Sequence, residues 1–265
     1  MVAKGQKYAL VTGAASGMGR AYARALAAKG YGVVAVDCSA DALQRLHDEL
    51  TASDVSCVAI CLDLAHPKAA EEVLRRVEEQ VCMIEVLICN AGVLAFGGFA
   101  ALTQARVEQV MALHMTTHTK LVHALGAQMC CRGCGYVLWV SSTTAWLPYP
   151  SIALYAATKR YIKTLSEALH DEWAHCGVAV TVVLPGAVDT PFYHLDAGLR
   201  SRLLWWGVLL SPEEVTRRAL RALFRGRKRV IPGWAAKLMV LMGRMTPSWV
   251  IRRVVRLKRV ERLLS

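Results

Sequence analysis

With 265 residues, 55% of them hydrophobic, the chain fits one large α/β domain with a core on both faces of a parallel sheet and is too short for two full domains. No apolar segment with a cleavage site follows Met1, and the longest strongly apolar stretch outside the strands, Leu203–Leu210, is far below the roughly 20 residues that span a bilayer. The expectation is a cytoplasmic protein without a transmembrane helix, whose net charge of +12 is concentrated at one end: residues 1–211 hold 17 Lys+Arg and 17 Asp+Glu, residues 212–265 hold 15 and 3.

Short β-branched runs alternate with longer helical patterns. Strands are predicted at Ala9–Val11, Val33–Val36, Val58–Leu62, Val86–Cys89, Tyr136–Val140 and Val178–Leu184, with helices between them, and this rhythm implies a doubly wound parallel sheet. The first strand runs into Thr12-Gly-Ala-Ala-Ser-Gly-Met-Gly19 and then a helix reaching Lys29. Gly13, Gly17 and Gly19, with Ser16 and Met18 in the same turn, let the backbone approach a pyrophosphate whose charge sits on the helix N-terminus.

Asp37 ends the second strand, 24 residues beyond Gly13, and is expected to accept hydrogen bonds from an adenosine ribose; capping the helix near Asp41 is its competing role. Its carboxylate would stand where NADP carries a 2′-phosphate. Two like charges about 4 Å apart repel by about 4 kcal/mol at an effective dielectric of about 20, and neither Ser16 nor Cys38 supplies a compensating cation. NAD is therefore expected over NADP.

Nine cysteines scattered over strands and helices read as reduced thiols, and Cys131-Arg-Gly-Cys134 stands without the second pair a metal site would need. Tyr155-Ala-Ala-Thr-Lys159 puts a phenol and an ammonium one helical turn apart, with Ser142 thirteen residues upstream. A phenol ordinarily titrates near pH 10, so a nearby positive charge is the simplest way to favour the phenolate. The spacing alone equally suits a solvated lysine beside a core tyrosine; the phosphate-binding turn earlier in the chain argues for a site.

The stretch from Thr190 to Ser211 is rich in apolar and aromatic residues. It suits a lipophilic ligand such as a sterol, a long acyl chain or a polyprenyl-like alcohol, or else packing against the C-terminal segment. Ser211-Pro-Glu-Glu214 reads as a helix start, Arg229-Val-Ile231 as a last strand and Pro232-Gly233 as a break. Beyond it Trp234, Leu238, Leu241 and Met245 form a helical stripe. Val250, Val254, Leu257 and Leu264 form another, with Arg252, Arg256 and Arg259 opposite. Such a tail suits an anionic membrane surface, or a helix packed on the body or on a second subunit; nucleic acid is disfavoured by the apolar content and the lack of a reader motif.

TGxxxGxG at Thr12–Gly19, Asn90-Ala-Gly92, Ser142, Tyr155xxxLys159 and Pro185-Gly186 with Thr190, in this order, closely resemble the short-chain dehydrogenase/reductase family over about residues 7–190. The resemblance implies a Rossmann-type α/β domain at residues 1–233 with a variable substrate lid at about 191–211, and the tail pattern adds a basic amphipathic helical extension at 234–265. By the same resemblance Asp63 and Leu64 flank the adenine, while Asn90, Ala91 and Gly92 support the central sheet and the adenosine ribose. Pro185, Gly186, Val188 and Thr190 hold the nicotinamide. Tyr155 would be the general acid/base and Lys159 would lower its pKa and hold the nicotinamide ribose. Ser142, favoured over Ser141 by its spacing to Tyr155, would hydrogen-bond the substrate oxygen.

One position departs from the family pattern. Where the family usually carries an asparagine that anchors a proton-relaying water, this chain has His114. Imidazole could relay a proton with a pH-dependent limb, its bulk could disturb the helix distortion that seats the water, or it could be packed and silent. The resemblance further implies a homo-oligomer formed through the two long helices carrying His114 and Tyr155. An NAD(H)-dependent oxidoreductase of a hydrophobic alcohol or ketone is the leading reading, and an NAD-binding sensor or scaffold with little turnover is its rival.

Overall fold

A strand covered on both faces must be apolar on both, and every residue of β1 (Tyr8–Thr12) and β4 (Ile84–Cys89) is buried. With β2 (Gly32–Asp37), β3 (Cys57–Cys61), β5 (Gly135–Val140), β6 (Val178–Val183) and β7 (Arg229–Val230) they form a parallel sheet in the order 3-2-1-4-5-6-7. The computed structural model describes residues 6–81, 83–146, 150–190 and 197–246. The predicted strands all appear, with ends that coincide or are displaced by at most two residues.

Alternation along each strand divides the core in two. Leu10, Val36, Leu87, Val137 and Trp139 point to the layer made by α3 (Ala69–Gln80), α5 (His118–Arg132) and α6 (Ala153–Trp173). Their neighbours Val11, Ala35, Ile88, Leu138 and Val140 point to the layer made by α1 (Gly17–Ala27), α2 (Ala40–Thr51) and α8 (Pro212–Leu223). α8 begins as its sequence suggests: Pro212 occupies its first turn and the Ser211 hydroxyl accepts the Glu214 N–H at 3.1 Å.

The chain winds outward from β1 to β3 and then returns to β4 on the other side of β1, so the loops after β1 and β4 diverge and leave a crevice between them. Two further features shape that end of the sheet. α4 (Gln104–Met111) continues into α5 through a π-helical turn, Ala112–Thr117, that contains His114. The imidazole therefore coexists with a helix distortion rather than abolishing it. The second feature is the pair α7 (Ala197–Trp205) and α9 (Trp234–Met245). α9 lays Ala236 and Val240 inward, and a Cβ on Gly186 would lie 3.1 Å from the Ala236 methyl.

The expected stripe of Trp234, Leu238, Leu241 and Met245 is helical but faces outward, all four residues being exposed. The first part of the predicted extension thus packs on the domain through its small-residue face. Val250, Arg252, Val254, Arg256, Leu257, Arg259 and Leu264 of the tail, and positions 191–196 of the lid, lie outside the described residues. None of the described helices is long and apolar enough to cross a membrane.

Candidate active site

Thr12, at the end of β1, is the joint of the crevice. Its hydroxyl accepts the N–H groups of Asn90 (2.9 Å) and Ala91 (3.1 Å) and lies 3.0 Å from Nε2 of the buried His118. The Asn90 amide returns two bonds, to the carbonyls of Thr12 (2.9 Å) and Gly13 (3.2 Å). Burial pushes the His118 imidazole down to about 3, so it stays neutral at physiological pH.

Three glycines let the chain close on itself here. Gly13 has φ +64°, and a Cβ there would meet the Ala91 Cα at 2.9 Å; a Cβ on Gly19 would lie 1.8 Å from the Gly13 carbonyl oxygen. Gly17, at φ +49°, would bring a Cβ within 3.2 Å of the Thr190 methyl, so the loops after β1, β4 and β6 meet at one place. Ser16 is the N-cap of α1 but makes no side-chain cap bond, which leaves the first-turn N–H groups, Met18 among them, able to receive an anion. The cradle therefore fits the pyrophosphate of a dinucleotide.

Asp37 is held at the rim by backbone donors. Its Oδ2 accepts the Ala15 N–H at 2.9 Å and its Oδ1 the Ser39 N–H at 3.0 Å, Ser39 being the N-cap of α2. The carboxylate thus fixes the start of α2 while remaining at the end of β2 where a ribose is expected. Asp63 is exposed and accepts the Ala65 N–H at 2.9 Å. Leu64 differs from expectation: its side chain is in the core against α3, and only its backbone is available towards an adenine, its carbonyl already accepting from Thr117 at 2.8 Å.

At the other end, β5 is stapled to α6. The Lys159 ammonium donates to the Val140 carbonyl at 2.9 Å, and the Ser141 hydroxyl donates to the Lys159 carbonyl at 2.7 Å. Ser141 is thereby committed to structure, which leaves Ser142, whose Oγ accepts the Thr144 N–H at 3.2 Å, as the hydroxyl beside the site. Lys159 is buried, its nitrogen 5.5 Å from the centre of the half-buried Tyr155 ring, and desolvation lowers its pKa to about 8.

His114 packs edge-on to the same ring, with centroids 5.8 Å apart. Proton counting assigns its tautomer. The Thr158 hydroxyl donates to the Tyr155 carbonyl (2.8 Å), so at 2.8 Å from His114 Nδ1 it must accept there, while Nε2 accepts the Val93 N–H at 2.9 Å. Both ring nitrogens are engaged in a neutral imidazole. Burial, and then the Lys159 charge, hold its pKa well below the ordinary histidine value. Gly92 passes between the two groups: a Cβ there would be 3.1 Å from His114 Nε2 and 3.6 Å from Lys159 Nζ.

The loop after β6 closes the site. The Pro185 carbonyl accepts the Thr143 N–H at 3.0 Å, Val188 pairs with Leu210, and the Thr190 hydroxyl donates to the Val188 carbonyl at 3.3 Å. Arg200 of α7 grips Asp189 with two bonds, 2.8 and 2.7 Å, and Thr143 donates to the Met239 sulfur of α9 at 3.6 Å. Neither contact was foreseen; the apolar lid gave no sign of the Arg200 pair, and Thr158 was visible only as an unassigned member of the Tyr155–Lys159 turn.

Three comparisons bear on this site. The sequence model of the family described as short chain dehydrogenase matches residues 7–196. The 1-deoxy-11-beta-hydroxypentalenate dehydrogenase of Streptomyces exfoliatus is 34% identical over 186 residues, 69% of this chain and 68% of that protein. Among solved structures, a short-chain dehydrogenase from Sphingobium yanoikuyae in complex with NADPH superposes with a TM-score of 0.78 at 29% identity, covering 90% of this chain and 92% of that one. A bulky-bulky ketone specific alcohol dehydrogenase from Comamonas testosteroni does so at 0.75 and 28%, covering 86% of each.

Proposed function

The chain belongs to the short-chain dehydrogenase family, and from that premise we propose that it is a cytoplasmic NAD(H)-dependent oxidoreductase interconverting a hydrophobic secondary alcohol and its ketone. The observation that carries the reading is the buried Lys159 ammonium, 5.5 Å from the Tyr155 ring and titrating near 8. A cation held there at neutral pH favours the phenolate of Tyr155 and so suits it to exchange a proton with a substrate oxygen.

A bound nicotinamide would supply the hydride chemistry, as acceptor from a carbinol carbon or donor to a carbonyl carbon. Tyr155 takes the hydroxyl proton in the oxidative direction and returns it in the reductive one. The Ser142 hydroxyl hydrogen-bonds the same oxygen where negative charge develops. Lys159 is kept on its mark by Val140. Gly13, Gly17 and Gly19 would hold the pyrophosphate with the α1 N-terminus, Asn90 would brace that turn, and Pro185, Gly186, Val188 and Thr190 would line the nicotinamide.

Asp37 supports NAD over NADP, because a fixed carboxylate opposes a 2′-phosphate. The apolar and aromatic residues between Thr190 and Ser211 support a lipophilic substrate. His114, with both nitrogens taken, is assigned to positioning: it ties the loop at Val93 to the first turn of α6 through Thr158. The sensor or scaffold alternative is not favoured, since Ser142, Tyr155 and Lys159 are all present. The helices carrying His114 and Tyr155 leave Met111 and Tyr161 exposed and are proposed to pair with a second copy, which sedimentation of the protein tests.

The decisive experiment is NADH formation from a panel of lipophilic secondary alcohols. Tyr155→Phe should abolish it while cofactor binding persists; full turnover in that variant would reject the mechanism.

A further inference from the structure

The turn that ends α7 meets the first turn of α9 on the outside of the molecule. The Trp234 indole N–H donates to the Trp206 carbonyl at 3.2 Å and joins them into one surface. Trp205, Trp206 and Trp234 are 84%, 55% and 58% exposed, and Leu238, Leu241, Met242 and Met245 of α9 lie open beside them. Scattered exposed apolar residues are normal, whereas a contiguous patch of this kind marks an interaction surface. It is not the packing face of its own helix, since Ala236 and Val240 already fill that role.

We propose that this α7–α9 face beds into the interfacial region of an anionic lipid bilayer, with the substrate end of the site turned towards the lipid. Indole rings favour the headgroup level, where their apolar body is buried and their polar edge remains wet. Charge chooses between the occupants. Neither α7 nor α9 contains an Asp or Glu, Arg202 and Lys237 are exposed on them, and the sequence that follows α9 carries Arg252, Arg253, Arg256, Lys258, Arg259 and Arg262 against Glu261. A second copy placed on this face would set Arg202 and Lys237 of each copy against helices that offer no carboxylate. An anionic leaflet complements them.

α9 also lies directly over the site, through Ala236 on Gly186 and Met239 beside Thr143. A bilayer on its outer face would therefore adjoin the end of the site at Thr143 and Gly186, where a lipophilic substrate must arrive. This deepens the proposed catalytic reading by naming the phase that supplies the substrate. Its test reads partitioning, so either can fail without the other.

Flotation of the full chain with phosphatidylcholine vesicles containing roughly 30% phosphatidylglycerol tests it. The protein should rise with these vesicles, rise less with pure phosphatidylcholine, and be partly released at about 0.5 M salt. The triple variant Trp205→Ser/Trp206→Ser/Leu241→Ser should lower the partition coefficient about tenfold or more while its circular dichroism is unchanged. Should that variant misfold, tryptophan fluorescence of the unaltered protein supplies the second measurement: brominated anionic vesicles should quench it. Failure of the unaltered chain to float and to be quenched overturns the proposal. So does undiminished flotation of a folded triple variant, or a dimer that the same substitutions dissociate in a protein that does not bind vesicles.

Discussion

Replacing Lys159 with methionine separates the cost of the buried cation from its use. Burial lowers the ammonium pKa from 10.5 to about 8, and each unit corresponds to about 1.36 kcal/mol, so the charged form costs the folded chain about 3 kcal/mol. The folded-state pKa is the depressed one. Between pH 8 and 10.5 the unfolded chain therefore binds more protons than the folded chain, and stability rises with pH; below pH 8 the cost is complete. Methionine follows the lysine stem and does not titrate. It loses the bond to Val140, an offset largely independent of pH. Urea unfolding of both proteins without cofactor, from pH 7 to pH 10, should show the wild type gaining roughly 2–3 kcal/mol on the variant as pH rises, with the titrating groups that do not feel Lys159 cancelling in the difference. Turnover should vanish in the variant throughout. A stability difference that does not change with pH would refute the desolvated cation and with it the electrostatic account of Tyr155.

Asp37→Asn removes the charge opposed to a 2′-phosphate and should shift the ratio of kcat/KM for NADP over NAD towards NADP by at least about tenfold, read from initial rates with each cofactor; an unchanged ratio would place selectivity elsewhere. His114→Asn should leave the limbs of the pH–rate profile where they are, since the imidazole is already neutral and fully bonded, while lowering stability by about 1–3 kcal/mol as Val93 or Thr158 loses its partner; disappearance of a limb would restore a relay role. Gly19→Ala drives a methyl against the Gly13 carbonyl and should cost about 1–3 kcal/mol in unfolding free energy and raise KM for the cofactor. Wild-type values for both would show that the turn has room to relax.

The strands were readable because parallel strands covered on both faces are near-continuous runs of Val, Ile and Leu, and the glycine turn because its Cβ-free positions touch backbone. α9 was harder. Trp234, Leu238, Leu241 and Met245 make the stronger stripe, yet Ala236 and Val240 pack inward, because the seat at Gly186 admits only small side chains. A helix apolar on both sides does not declare which side is buried. The π turn at Ala112–Thr117 left no trace in periodicity, since one wide turn within a long helix shifts the pattern by less than a residue's uncertainty. The role of His114 depended on three partners, Val93, Thr158 and Tyr155, that only folding brings together. Leu64 was placed beside the adenine by the family resemblance alone, which does not say that its side chain is in the core while its backbone faces outward.

The contact of α9 with Gly186 and Thr143 also sets an order of events. Ser142 and Tyr155 leave the ribosome well before Ala236 and Met239, which lie about a hundred residues after Ser142. At synthesis rates of about 5–20 residues per second that is a delay of roughly 5–20 s. During this interval the nascent chain can already pair β1 to β5, add β6 and form the phosphate-binding turn, while the far wall of the substrate end is still unmade. The part of the molecule that binds nucleotide is thus available to a cellular cofactor pool before the part that receives substrate exists, and a nucleotide captured early would stabilise the body on which α9 later settles.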